Sequence, residues 1–283
     1  MFYFSSWRIQ INRDGITARN YHVSILLLLL IAITASVDAQ QKNKDTLTNH
    51  EIALRLRNPV TDLINVPLQD NLEFGVGDSG LLRNTLEIEP VIPIVLSKTL
   101  RLVTRTIIPF EYQQGTASKG SAFGLGDIVL NVVLGPNYRK GGWVYGIGAE
   151  VNLPTTVDPR FGFGEWAAGP NAVFVKQSGN LNLGLLLDQI WSFNPQNPNK
   201  VSQGEFDLWA NYSWENGLSA DMEIDATDNW YTDQWTIPFR FGIGKVFNFG
   251  KLPLAFNLDG LYYVQRVQDD PKWGISPTVT VVF

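Results

Sequence analysis

The chain contains no cysteine and only two histidines, His22 and His50. Disulfides, thiolate nucleophiles and Cys-ligated zinc or iron–sulfur sites are thereby excluded. Two histidines also leave almost nothing for His-based catalysis or His-rich metal sites. Charge is scarce: 17% of the 283 residues are Asp, Glu, Lys or Arg, against about 25% in an ordinary soluble domain. Long apolar runs are scarcer still. The one substantial run, Ile25 to Ile33, falls well short of the ~20 residues that a helix needs to cross a bilayer. A helical membrane protein is therefore excluded. Aromatic residues, in contrast, reach 12%, which excludes a disordered chain.

Arg8, Arg13 and Arg19 precede the apolar run, and Thr34, Ala35, Ser36 and Ala39 follow it. A basic region, a short apolar core and a small residue at the cut are the marks of a secretory signal peptide. Residues 1–39 are expected to be that signal, with cleavage after Ala39; a short buried helix is the plainer alternative. Without the three Arg and two Asp of that stretch, 19 basic and 25 acidic residues remain, a net charge of −6. Such a chain is a poor candidate for binding nucleic acid.

Residues 40–65 are expected to form a polar segment with a short helix. Thr48 and Glu51 are spaced as a capping box, so a helix is predicted from there through Arg57, ended by Asn58-Pro59. Ile52, Ala53 and Leu56 share one side of it, which suits docking as a plug or a flap. Beyond Val66 the apolar period changes from helical to two. Leu100, Leu102, Thr104, Thr106, Ile108 and Phe110 alternate with Arg101, Val103, Arg105, Ile107 and Pro109. Leu218, Ala220, Met222 and Ile224 alternate with Ser219, Asp221, Glu223 and Asp225. Similar runs recur to the final Phe283. With strands near 66–77 and 166–177 added, about twelve are predicted over 66–283, although the alternation of 166–177 leaves its faces undecided.

Alternation alone does not distinguish a soluble barrel with an apolar interior from a membrane barrel with an apolar skin. Strand length favours the membrane: most runs approach or exceed the ~9–11 residues of a tilted spanning strand, whereas soluble strands average about 5–6. Short turns such as Ser97-Lys98-Thr99 and Glu215-Asn216-Gly217 alternate with long connections such as 113–123 and 154–165, the outer-membrane pattern. Aromatic side chains also gather at both strand ends. Phe110, Tyr112, Trp166, Trp191, Tyr262 and Trp273 mark the long-loop end; Trp143, Tyr145, Tyr212, Trp214, Phe247, Phe249 and Phe283 mark the short-turn end. An open edge is untenable in lipid. The predicted fold is thus an all-β, transmembrane, antiparallel up-and-down β-barrel of about twelve strands with a short N-terminal helix. Outer-membrane lipid is its expected surroundings, and the C-terminal Phe283 its expected signal to barrel-assembly machinery.

Several stretches carry a likeness to a known family. They are Arg57 to Gln69, Pro90-Val91-Ile92-Pro93, Arg105 to Pro109, Gly124-Leu125-Gly126-Asp127-Ile128, Gly164 to Pro170, Asp188 to Phe193, and Trp273-Gly274. In these the chain resembles the bacterial outer-membrane transporter family named for phenol-degradation meta-pathway proteins, some of whose members carry the label neuromedin U. The likeness extends over about residues 50–283. It implies an outer-membrane barrel and leaves the substrate open.

The polar face is lopsided. Glu87, Glu89, Glu111, Asp127, Glu150, Asp188, Glu205, Asp207, Asp221, Glu223, Asp225 and Asp259 are its acids; Arg101, Arg105 and Arg240 are its bases. All fifteen are candidate lumen-lining residues. Glu87 and Glu89 lie one hairpin from Arg101 and Arg105, so pairing across strands is expected, leaving an acidic wall on the eighth and ninth strands. Carboxylate-lined pores favour cations. The leading expectation is a channel or transporter for small solutes, aromatic or hydrophobic compounds or ions among them. A non-conducting barrel with a structural or surface-binding role is the alternative. No enzyme, metal or cofactor is expected: His50 precedes the barrel, so no Ser/His arrangement fits within it. Asp221 and Glu223 are neighbours on one wall, suited to solvation rather than acid–base chemistry.

Overall fold

The computed structural model describes residues 47–116, 120–137, 141–193, 200–249 and 252–283. The expected signal peptide lies outside them. Helix α1 spans Asn49–Leu56, with Thr48 as its N-cap. The capping box forms as the spacing predicts: the Glu51 amide donates to the Thr48 hydroxyl at 3.2 Å, and the Thr48 amide donates to the Glu51 carboxylate at 2.8 Å.

The remaining segments are strands: β1 (Asn65–Val76), β2 (Leu81–Ile88), β3 (Val91–Val95), β4 (Leu100–Gln113), β5 (Ala122–Leu125), β6 (Ile128–Pro136) and β7 (Trp143–Leu153). They continue with β8 (Ala167–Ser178), β9 (Leu181–Ser192), β10 (Ser202–Ser213), β11 (Leu218–Asn229), β12 (Gln234–Phe249), β13 (Leu252–Gln265) and β14 (Trp273–Val282). Sequential antiparallel pairing carries the sheet round, and β14 pairs with β1 from Val282–Asn65 to Trp273–Phe74. β2 and β3 are halves of one barrel strand interrupted at Glu89-Pro90, since β4 pairs with both. β5 and β6 are likewise halves interrupted at Gly126-Asp127. The result is a closed, twelve-stranded antiparallel barrel with one short helix.

Side-chain direction follows the pleat. Ile147, Ile243 and Leu258 are more than half exposed on the outer skin, while Asn182, Asn211, Ser276 and Asp259 are buried within. A polar interior inside an apolar exterior is the reverse of a soluble domain. Trp143, Tyr145, Tyr212, Trp214, Phe247 and Phe249 stand exposed at the short-turn end; Trp166, Trp191, Tyr262 and Trp273 stand exposed at the other. Two features depart from simple alternation. Val173 and Val175 of β8 turn inward and are fully buried against Val60, Val133, Val144 and Trp209. Both faces of β8 are therefore apolar at that end, which is why its sequence leaves the faces undecided. Asp70 of β1 and Asn84 of β2 lie on the outward face, the Asn84 amide donating to Asp70 Oδ1 at 2.5 Å.

Candidate functional site

The short-turn half of the lumen is filled. Residues 47–64 enter it, carrying α1. Ile52, Ala53 and Leu63 bury against Val246, Val282 and Ala255, and Val60 joins the valine cluster on β8. Polar ties fix the same segment. Arg57 Nη2 donates to Asp221 at 2.7 Å, and Asn182 Nδ2 donates to the Leu54 carbonyl at 3.3 Å. Arg101 Nε donates to Asn137 at 3.1 Å, and its Nη1 approaches the Val60 carbonyl at 3.5 Å. Asn257 donates to both Asp221 and Asp259 beneath the segment. The helix is thus a plug rather than a flap. His50 belongs to it: Nδ1 lies 3.0 Å from the Trp214 carbonyl.

The long-loop end narrows by another device. The connection between β7 and β8 folds inward, and Asp127 receives it. One Asp127 carboxylate oxygen accepts the amides of Thr155 and Thr156 at 3.1 Å; the other accepts Gly164 N at 2.8 Å and Asn152 Nδ2 at 3.3 Å. A Cβ at Gly162 would stand 2.5 Å from Asp127 Oδ2, and one at Gly124 would stand 2.2 Å from Val157. The loop seats only because these positions are bare.

Between plug and loop lies a charged belt. Arg105 grips Glu89 through Nε at 3.1 Å and Nη2 at 2.8 Å. The expected second pairing does not form: Glu87 accepts instead from Gln69 and Asn71, at 3.1 and 3.0 Å, and Arg101 belongs to the plug. Arg240 stands 3.9 Å from Glu223. Glu150 lies opposite Asn131 on the next strand. On β9, β10 and β11 the register sets carboxylates against each other: Glu205 opposes Asp188, and Asp207 opposes Asp225. Asp188, Asp207 and Asp225 each keep a buried carboxylate oxygen with no hydrogen-bond partner among the described residues. Like charges directly opposite are unfavourable, and an unpaired buried polar atom adds to that cost.

Glu73, Arg83 and Tyr263 also meet inside the barrel. Arg83 Nε donates to Glu73 at 2.6 Å, and the Tyr263 hydroxyl donates to the same carboxylate. Sequence reasoning missed all three. A signal is present in the sequence: Arg83 follows the Gly77–Gly80 turn in phase with Thr85 and Glu87. Glu111 and Asp127 border the same region. Among the described residues no group of three or more His, Cys, Asp or Glu stands together as a metal site.

The barrel has likenesses among solved structures. The chain is similar to the COG4313 outer membrane channel from Pseudomonas putida F1, with 20% identity over 78% of this chain and 94% of that one, at a TM-score of 0.59. It is also similar to the NanC porin, with 11% identity over 77% and 98% of the two chains and a TM-score of 0.49. The outer membrane phospholipase A from Escherichia coli is matched at 14% identity over 84% and 98%, with a TM-score of 0.43. The first likeness supports the outer-membrane barrel fold; the other two are too slight to carry weight. No family model and no curated protein sequence matches the chain. The phenol-degradation and neuromedin U labels find no support in these likenesses.

Proposed function

We propose that the protein is an outer-membrane channel that passes small solutes through an acidic lumen and favours cations. The observation that carries this reading is the two opposed carboxylate pairs, Glu205 with Asp188 and Asp207 with Asp225. A folded chain relieves such repulsion with a shared proton, with water or with a cation. At 4 Å two like charges repel by about 4 kcal/mol at an effective dielectric near 20, and by about 1 kcal/mol in water. A wet lumen visited by cations lowers that cost.

Asp221 and Glu223, although on the same wall, are less free: Arg57 holds the first and Arg240 faces the second. The selectivity of the path is therefore assigned to Asp188, Glu205, Asp207 and Asp225. Residues 47–64 form the gate in this reading, and conduction requires their displacement. The fold and its lipid-facing skin support outer-membrane residence after export and assembly.

Planar-bilayer recording under a KCl gradient tests the proposal. Discrete conductance steps, with a reversal potential on the cation-selective side, are expected from the wild type or from Arg57→Ala, which loosens the gate. Asp207→Lys with Asp225→Lys should move the reversal potential toward anions. Silence of both proteins would favour a non-conducting structural barrel, and an unmoved reversal potential would remove the carboxylates from the path.

A further inference from the structure

The long-loop half of the lumen holds an open cavity of about 380 Å³, near the small end of the range for sites that hold small molecules. We propose that this cavity binds a small organic cation, an ammonium group carried on an apolar body, with Glu111 as its counter-charge. This rests on the reading of the lumen as a solute path and names the class of solute.

The first argument is charge. Glu73, Glu87, Glu111 and Asp127 all border the cavity, and Arg83 is the one base that does so. Three of the four carboxylates are already engaged. Glu73 is held by Arg83 and Tyr263. Glu87 accepts from Gln69 and Asn71. Asp127 accepts the loop amides. Glu111 alone has no hydrogen bond or ion pair among the described residues. Its carboxylate is nevertheless placed: a Cβ on Gly126 would stand 2.6 Å from Glu111 Oε1. An anion entering here meets the acidic excess, and a neutral solute leaves Glu111 unanswered.

The second argument is shape and polarity. Phe161 and Phe163 come from the inward loop; Ile107, Pro109 and Val129 come from the strands. A bare metal ion has no use for these walls. A cation with an apolar body covers them and is further favoured by aromatic faces.

Isothermal titration of the full chain in a zwitterionic detergent tests the site without relying on conduction. The probes are benzylamine, which is protonated at neutral pH, benzyl alcohol, which matches its shape without charge, and benzoate. Benzylamine is expected to bind with one-to-one stoichiometry, at least tenfold more tightly than either other probe. Glu111→Gln should weaken benzylamine at least tenfold, while Glu111→Asp should retain most of the affinity. Equal binding of benzylamine and benzyl alcohol, unchanged binding to Glu111→Gln, or no benzylamine binding to the wild type would each overturn the proposal. Conduction without benzylamine binding would remove the site and leave the channel. Binding by a barrel silent in bilayers would do the reverse.

Discussion

Asp127 stands where two separated glycine-bearing stretches meet, Gly124 to Ile128 and Gly164 to Pro170. Its role in holding the loop is local and testable. In Asp127→Ala the amides of Thr155, Thr156 and Gly164 lose a charged acceptor. With water replacing part of what is lost, a net destabilisation of about 2 kcal/mol is expected. Denaturant unfolding in detergent reads that loss, and faster protease cutting within 154–166 localises it. Glu51 offers a pH test at the same scale. The Thr48 amide, and then the Thr48 hydroxyl, hold its carboxyl below the ordinary 4.5. A lowered folded value stabilises the helix above the ordinary value, and that contribution is lost as pH falls through the lowered one. Hydrogen exchange at the α1 amides, corrected for intrinsic rate, should be level above the ordinary 4.5 and rise as pH falls below it. Glu51→Gln should lack that acid step. The cap was legible from a three-residue spacing. The acceptor role of Asp127 was not, because its donors lie 28, 29 and 37 residues away in sequence.

Strand edges and strand faces differ in how openly the sequence displays them. Where one face meets lipid and the other water, as in β11, the period-two pattern is explicit. Where the plug buries against a strand, as in β8, apolar residues appear on both faces and the pattern is lost. Interruptions behave similarly: Pro90 lacks an amide hydrogen and parts β2 from β3, while β4 still pairs with both. The outward pair Asp70 and Asn84 is the clearest breach of the lipid-facing pattern. Each Asn84 amide hydrogen has an acceptor, Asp70 Oδ1 and the Asn71 carbonyl. Leucine at both positions removes two polar groups from hydrocarbon, where their presence is costly. Asp70→Leu with Asn84→Leu is expected to raise stability by about 1 kcal/mol, measured by urea unfolding in lipid vesicles. A loss of stability would show that this face is covered by something other than lipid.

In the whole molecule the lumen has two closures of different character. The long-loop closure is held by hydrogen bonds, those of Asp127 joined by Thr155 to Gly126 and Val157 to Leu125, whereas the plug combines apolar burial with the Arg57–Asp221 pair at 2.7 Å. Asp221 is nearly buried and Arg57 is about a third exposed, so water screens part of their attraction. Asp221→Asn should therefore loosen the plug by about 2 kcal/mol, below the 3–5 kcal/mol of a fully buried broken pair. Faster protease cutting within 47–64 and more frequent bilayer openings are the expected readouts; unchanged openings would mean that apolar contacts alone hold the plug.

The sequence by itself determined the barrel, because period-two alternation over long strands leaves a membrane-spanning chain no other way to satisfy its backbone. It also determined the outward apolar skin and the capping box. Only the tertiary structure decided which carboxylates are answered and which are not. Glu89 found Arg105, Asp221 found the plug, and Asp207 met Asp225. Those outcomes depend on strand register and on where an N-terminal segment comes to rest. Alternation repeats every two residues and is blind to both.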